Sequence, residues 1–212
     1  MTTSLYIYGA SGFGREVAQL ALQCGHHVAA FVDDNYDQYP HGIHDLPVLS
    51  PADALDGADL NTFVVAIGNP QSRRAVTEYL LGSGLELPPL IHPSVIVGAH
   101  VEIGEGSIIC AGCILTTDIR IGRGVILNLA CTVGHDTVLG DYVSAMPAVN
   151  ISGGVEIGGE TYLGTNVCIR NGQPGAALVV GARATIGMGA VVVKPVPDDV
   201  TVAGNPAKAL AS

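Results

Sequence analysis

Residues 121–144 read IGRGVI–LNLACT–VGHDTV–LGDYVS, four six-residue units that each open on an aliphatic side chain. The register runs far beyond them. Counting in sixes gives Ile91, Val97, Ile103, Ile109, Leu115, Ile121, Leu127, Val133, Leu139, Ala145, Ile151, Ile157, Leu163 and Ile169, with Ala145 the one weak hit. The next residue is Gly at 98, 104, 122, 134, 140, 158 and 164. The fifth position is small or β-branched in most units, as at Val95, Ser107, Cys113, Val125, Cys131, Thr137, Val143 and Val149. A period of six fits neither the 3.6-residue helix nor a long alternating strand. It fits a solenoid whose coil has three flat faces, one hexapeptide to each. The aliphatic residue then points to the axis of the prism, and the small fifth residue fills the space beside it. The glycines are expected to serve the turns between faces, where positive φ is costly for other residues.

After Ile169 the register jumps to Val180, then resumes at Ile186 and Val192. Asn171-Gly-Gln-Pro-Gly175 lies in the gap and is turn chemistry. A short loop is expected to leave the prism there. It covers a ligand, grips a neighbouring subunit, or is a tolerated insertion.

The first ninety residues differ in texture, with a β–α alternation in place of the repeat. Ser4–Tyr8 reads as a buried strand, Phe13–Gln23 as an amphipathic helix and His27–Val32 as a second strand. Thr62–Ile67 is a third strand, and Gln71–Leu81 a second helix. Strand–helix–strand at this spacing implies a small parallel sheet of Rossmann type. The chain therefore divides into a Rossmann-like domain over 1–88 and a prism over 89–212. The first strand runs into Gly9-Ala-Ser11-Gly12-Phe13-Gly14 and then directly into the helix. Such a turn presents backbone N–H groups and the positive helix end to an anion. Asp33-Asp34 closes the second strand, where Rossmann domains hold an acid near a ribose. Gly68-Asn69 ends the third strand on the same edge. The spacing GxxGxG suits a nucleotide diphosphate as well as a dinucleotide; the alternative is that these glycines only allow close helix–sheet packing.

Composition narrows the class. Of 212 residues, 48% are hydrophobic but only 5% aromatic, with no Trp, so the core is aliphatic. A net charge of −10 argues against a nucleic-acid or anionic-membrane partner, since both require a basic face. No apolar run reaches the ~20 residues of a membrane helix, and no basic-then-apolar leader opens the chain, so a cytoplasmic protein is expected. Five cysteines without a signal segment read as free thiols. Cys110-Ala-Gly-Cys113 is a lone CxxC, too little for zinc or redox chemistry.

A small nucleotide-binding domain ahead of a hexapeptide prism resembles the sialic-acid-type sugar O-acyltransferases, a family that includes nucleotide-aminosugar N-acetyltransferases. The resemblance covers essentially the whole chain and is carried by YIYGASGFGREV, FVDD, VAIGNP, LIHPSVIVG, the block Asn128–Asp136 and the terminal Gly204-Asn-Pro-Ala-Lys208. It implies a left-handed parallel β-helix, acetyl-CoA as co-substrate without a metal, and a homotrimer. The acceptor it implies is a nucleotide-linked 4-amino-6-deoxy sugar of surface-polysaccharide biosynthesis.

His135 stands out in the unit Val133-Gly-His-Asp-Thr-Val, near a corner of the prism with its side chain outward. Acetylating an amine needs a base to take a proton as nitrogen attacks the thioester, and imidazole titrates in the right range. Asp136 is suited to fixing its tautomer. The resemblance gives the same two residues these roles. It further assigns Gly153 as the backbone amide beside the thioester, and Ser144, Thr165, Met188 and Lys208 to acetyl-CoA. The sugar nucleotide falls to Gly9, Ser11, Gly12, Phe13, Asp33, Asp34, Gly68 and Asn69. Two departures stand out: Ser144 and Phe13 each occupy a position where the aminosugar enzymes carry His. The alternatives are sugar O-acetylation and a non-catalytic nucleotide-binding prism. A zinc prism needs three converging histidines, and only His135 is well placed.

Overall fold

The computed structural model describes residues 4–56 and 62–210. The first part runs β1 (Ser4–Tyr8), α1 (Gly12–Gln23), β2 (His27–Val32), β3 (Val48–Leu49), α2 (Pro51–Asp56), β4 (Phe63–Val65) and α3 (Pro70–Gly82). The four strands form one parallel sheet in the order β3-β2-β1-β4. Leu5 and Ile7 of β1 pack against Val17 and Ala21 of α1, while Tyr6 and Tyr8 face Phe63 and Leu80 on the other side. Burial on both faces explains why β1 is a continuous apolar run rather than an alternating one. The strand expected over 62–67 is shorter, because Thr62 makes only an isolated bridge, to Glu86. β3 and α2 were not expected. Elements of two and six residues are too short to leave a period.

From Leu90 the chain winds into three sheets, parallel except for the terminal Lys208–Ala209, which returns antiparallel on Thr201–Ala203. Strands one coil apart pair, as Ile119 does with Val101 and Thr137. Each coil is three hexapeptides long. The first face carries Leu90–Ile91, Ile108–Ile109, Ile126–Leu127 and Ser144–Ala145, the second Ile96–Val97, Ile114–Leu115 and Thr132–Val133, the third Val101–Ile103, Ile119–Ile121 and Thr137–Leu139. Leu115, Leu127, Val133, Ile151, Leu163 and Ile169 meet on the axis with Cys113, Val125, Val143 and Val167, all buried. The first coil departs from the expected pattern. Val97 is 45% exposed and Ile91 and Ile103 are only partly buried, because no coil lies above them.

The glycines that follow the aliphatic residue work differently from expectation. Gly98, Gly104, Gly122, Gly134, Gly140, Gly158 and Gly164 do not have positive φ. They are points of close approach: a side chain at Gly98 would overlap the Thr116 carbonyl of the next coil, and one at Gly134 would come within 2.5 Å of the Gly153 nitrogen. The left-handed conformation falls two residues later, at His100, Asp118, Ala130, Asp136, Tyr142 and Ala148 among others. Coil stacking thus demands these seven glycines, while the turns are taken by ordinary residues and, as expected, by a second set of glycines, Gly106, Gly112, Gly124, Gly154 and Gly189.

The first domain lies on the first face of the prism. Leu90, Ile108, Cys110 and Ile126 belong to the same buried cluster as Leu5, Ile7 and Val17. Polar contacts frame it: the Cys24 thiol donates to Ile91 O at 3.2 Å, and the His92 ring joins Ser94 and Gln23. Cys113 sits in the prism core instead, so the two thiols of the CxxC face different clusters. Burial pushes the Cys110 thiol up to about 12, which leaves it unreactive at neutral pH.

Candidate active site

His135 and Asp136 occupy the corner between the second and third faces, which is the corner opposite the first face and its attached domain. Asp136 has φ 55, a left-handed conformation that Asp tolerates better than most residues. That turn throws both side chains outward, His135 65% and Asp136 69% exposed, and brings His135 Nδ1 to 2.7 Å from Asp136 Oδ2. A carboxylate only accepts, so Nδ1 carries a proton, and in the neutral ring Nε2 then presents the lone pair. The ring lies over Gly153 one coil further on. A Cβ there would come within 2.5 Å of Nε2, so only glycine leaves room for this ring position.

The corner is stiffly built. Gly154 N–H donates to His135 O at 2.7 Å, and Gly172 N–H to Gly153 O at 3.0 Å. The buried Thr137 hydroxyl lies 3.3 Å from Ser152 O, beneath the peptide that carries the Gly153 N–H. That N–H donates to no group among the described residues. The loop expected after Ile169 is a tight hairpin, with Gln173 and Ala176 exchanging backbone hydrogen bonds of 2.8 and 2.9 Å. It stands beside His135. Together with Asp136, Gly153 and Gly154 it encloses a cleft of about 490 Å³. The hairpin side of the cleft is Gly172, Pro174, Gly175, Ala176 and Ala177, with Asn171 and Gln173 as its polar side chains.

The other expected coenzyme contacts divide. Met188 (78% exposed) and Lys208 are open to solvent, and Thr165 is half-buried. Ser144 is a correction. It is fully buried on the covered first face, and its hydroxyl donates to Gly68 O at 2.8 Å, so it is closed to the coenzyme.

The ends of β1, β2 and β4 bring the second group of candidates to one sheet edge, as parallel strands require. Within that group most polar atoms hold the protein itself. The Asp33 carboxylate accepts from Ala10 N–H at 2.8 Å and from Asn35 N–H at 2.9 Å, shaping the glycine turn. Tyr8 donates to Asp34 at 2.8 Å, and burial and that carboxylate raise the phenol's pKa. Asn69 caps α3 through Ser72 N–H at 2.9 Å. Phe13 packs partly buried on the domain core. Gly9 (φ 113) and Gly14 serve packing, since side chains there would collide with Ala66 O and Gly9 O respectively. Gly12 and Gly68 are different. At Gly12 a Cβ would meet only the end of Arg15, and at Gly68 nothing within 4 Å. Ser11, the N-cap of α1, makes no capping bond with its side chain and is exposed. The open part of the edge is therefore Ser11, Gly12 and Gly68.

Sequence reasoning missed Arg73, fully buried at the junction of the two parts. It also assigned no wall to the His135 corner, because a loop's direction is not written in its composition.

Residues 4–80 match the PglD N-terminal domain family. The chain is 38% identical over 209 residues to GDP-perosamine N-acetyltransferase of Escherichia coli O157:H7, covering 95% of this chain and 94% of the relative. PerB from Caulobacter crescentus, solved in complex with CoA and GDP-perosamine, has a TM-score of 0.90 at 31% identity, covering 100% of this chain and 99% of that one. The acetyltransferase domain of PglB from Neisseria gonorrhoeae FA1090, solved with acetyl coenzyme A, has a TM-score of 0.85 at 34% identity, covering 99% and 100%. These structures share the fold expected from the repeat, a Rossmann-like domain ahead of a hexapeptide β-helix.

Proposed function

Because the chain belongs to the hexapeptide-repeat family of sialic-acid-type sugar O-acyltransferases and nucleotide-aminosugar N-acetyltransferases, we propose that it acetylates the amine of a nucleotide-linked 4-amino-6-deoxy sugar. As a member it is an acetyltransferase that uses acetyl-CoA. The observation that carries the finer reading is His135: Nδ1 tied to Asp136 at 2.7 Å, Nε2 free above Gly153 at the edge of a cleft.

In this reading the neutral sugar amine attacks the thioester carbonyl while His135 Nε2 takes the proton that the nitrogen must lose. Asp136 stabilises the imidazolium so formed. Negative charge gathers on the carbonyl oxygen, and the uncommitted Gly153 N–H is the donor suited to it. Collapse expels the CoA thiolate, to which His135 returns the proton.

The nucleotide belongs at Ser11, Gly12 and Gly68, where the α1 N-terminus offers unpaired N–H groups to a diphosphate. That edge is carried on the first face, whereas His135 projects from the opposite corner. A sugar held by one copy therefore suits the His135 of a neighbour, and cyclic trimers repeat such a site three times. The second face fits a contact between copies. Its outward residues Ile96, Ile114, Thr132, Asn150, Cys168 and Val191 carry no charge, and Ile96 is 61% exposed. The third face instead mixes the charged Glu102, Arg120 and Glu156 with the exposed Val138 and Val179.

The test is thiol release from acetyl-CoA with GDP-, UDP- and dTDP-linked 4-amino sugars and their 4-hydroxy counterparts. Release with an amino sugar alone is expected. Release with the hydroxy compounds alone would assign O-acetylation instead.

A further inference from the structure

Arg73 is fully buried and meets no carboxylate among the described residues. Its Nε donates to Gly124 O at 2.7 Å and its Nη2 to Tyr142 O and Val143 O at 2.7 and 3.3 Å, all on the prism. Its Nη1 donates to Ile67 O and Gly68 O at 2.7 and 3.1 Å, both just beyond the end of β4. Ser144 reaches the same Gly68 carbonyl from the prism side at 2.8 Å. Desolvation pulls the guanidinium down to about 9, which leaves it charged at neutral pH.

Adhesion alone does not explain a buried charge here. The junction already has an apolar interface in Leu90, Ile108 and Ile126, and buried ions are costly to desolvate. What a planar five-donor fork adds is direction, because each bond is satisfied in one geometry only. The segment so fixed is the rim of the proposed nucleotide site. Gly68 has its carbonyl held from behind by Arg73 and Ser144, while its Cα faces open space.

We infer that Arg73 and Ser144 are positioning residues for acceptor selection: they fix the Ile67–Gly68 rim on the prism so that only a nucleotide-linked sugar is seated correctly. This rests on the nucleotide-site reading above. The prism then sets the shape of a crevice otherwise built by the other domain, and loosening the clamp should blur nucleotide recognition specifically.

The experiment compares kcat/KM for a nucleotide-linked 4-amino sugar with that for the same sugar without its nucleotide, alongside KM for acetyl-CoA. Wild type, Ser144→Ala, Arg73→Lys and Arg73→Met are assayed well below their melting temperatures. Ser144→Ala is expected to raise KM for the nucleotide-linked acceptor about threefold to tenfold, and the Arg73 variants tenfold or more. The free sugar's kcat/KM and the acetyl-CoA KM should stay within about twofold. An equal fall for both acceptors, or no change in either, overturns the inference; if the Arg73 variants do not fold, Ser144→Ala decides. Wild type showing no preference for the nucleotide-linked acceptor would overturn the underlying reading instead.

Discussion

The two ends of the proposed reaction path are built in opposite ways. At the His135 corner the candidate side chains are exposed and their contacts short-range: an adjacent carboxylate, a glycine beneath the ring, a hairpin alongside. At the sheet edge the polar side chains are mostly committed inward, with Asp33, Asp34 and Asn69 holding the turn, Tyr8 and α3. The corner needs no such support because the stacked coils already fix its backbone. The edge is made of loops, so its side chains hold the backbone in shape, and the proposed ligand contact falls to glycines and N–H groups. A rigid repeat frees side chains for chemistry, and a loop-built crevice consumes them.

Substitutions can break that contrast. The largest effect is expected at the corner: His135→Ala should lower kcat by about two to four orders of magnitude with little change in KM, the range for losing a general base. Steady-state kinetics on the folded variant would check it, and a mutant with near wild-type kcat would place the base elsewhere. Gly153→Ala comes next. Its methyl group would press on the His135 ring, displacing Nε2, so kcat should fall roughly ten- to a hundredfold while melting changes little. Retained activity would show that the ring has no need of its position over Gly153.

At the edge the expected effect is smaller and of another kind. Gly12→Val points into open space, so the protein should fold normally and KM for the acceptor should rise about tenfold with acetyl-CoA unaffected. Gly14→Val, by contrast, drives a side chain into the Gly9 carbonyl and should lower the melting temperature outright. If both glycines behaved alike, the distinction between packing and ligand-facing positions within the turn would be lost.

Much of this was legible in the sequence, and the misses have physical reasons. The period of six sets the axis residues from Ile109 to Ile169 because one buried side chain per face recurs in every coil. The same pattern was silent about why Gly follows, since close approach and positive φ both select glycine; close approach applies directly after the aliphatic residue, and positive φ two residues later at Gly106 and Gly124. The pairing of His135 with Asp136 could be read because adjacent residues at a turn stay adjacent in space. Ser144 could not, because whether an outward position is covered depends on what packs over it. A clue existed: the preceding outward residues on that face, Leu90, Ile108 and Ile126, are all apolar, as a covered face would be. Arg73 left a similar trace, falling on the stripe of Pro70, Thr77 and Leu80 that α3 buries. A charge on an apolar stripe signals a buried partner set, but not where it lies.

The most direct test of the central claim is the pH dependence of kcat/KM for wild type and His135→Ala with a nucleotide-linked amino sugar. If imidazole accepts the amine proton, the wild-type rate climbs with pH through an ionisation that the variant lacks, leaving the variant slow and without that limb. A variant that keeps both the limb and most of the rate would show that the amine loses its proton to something other than His135.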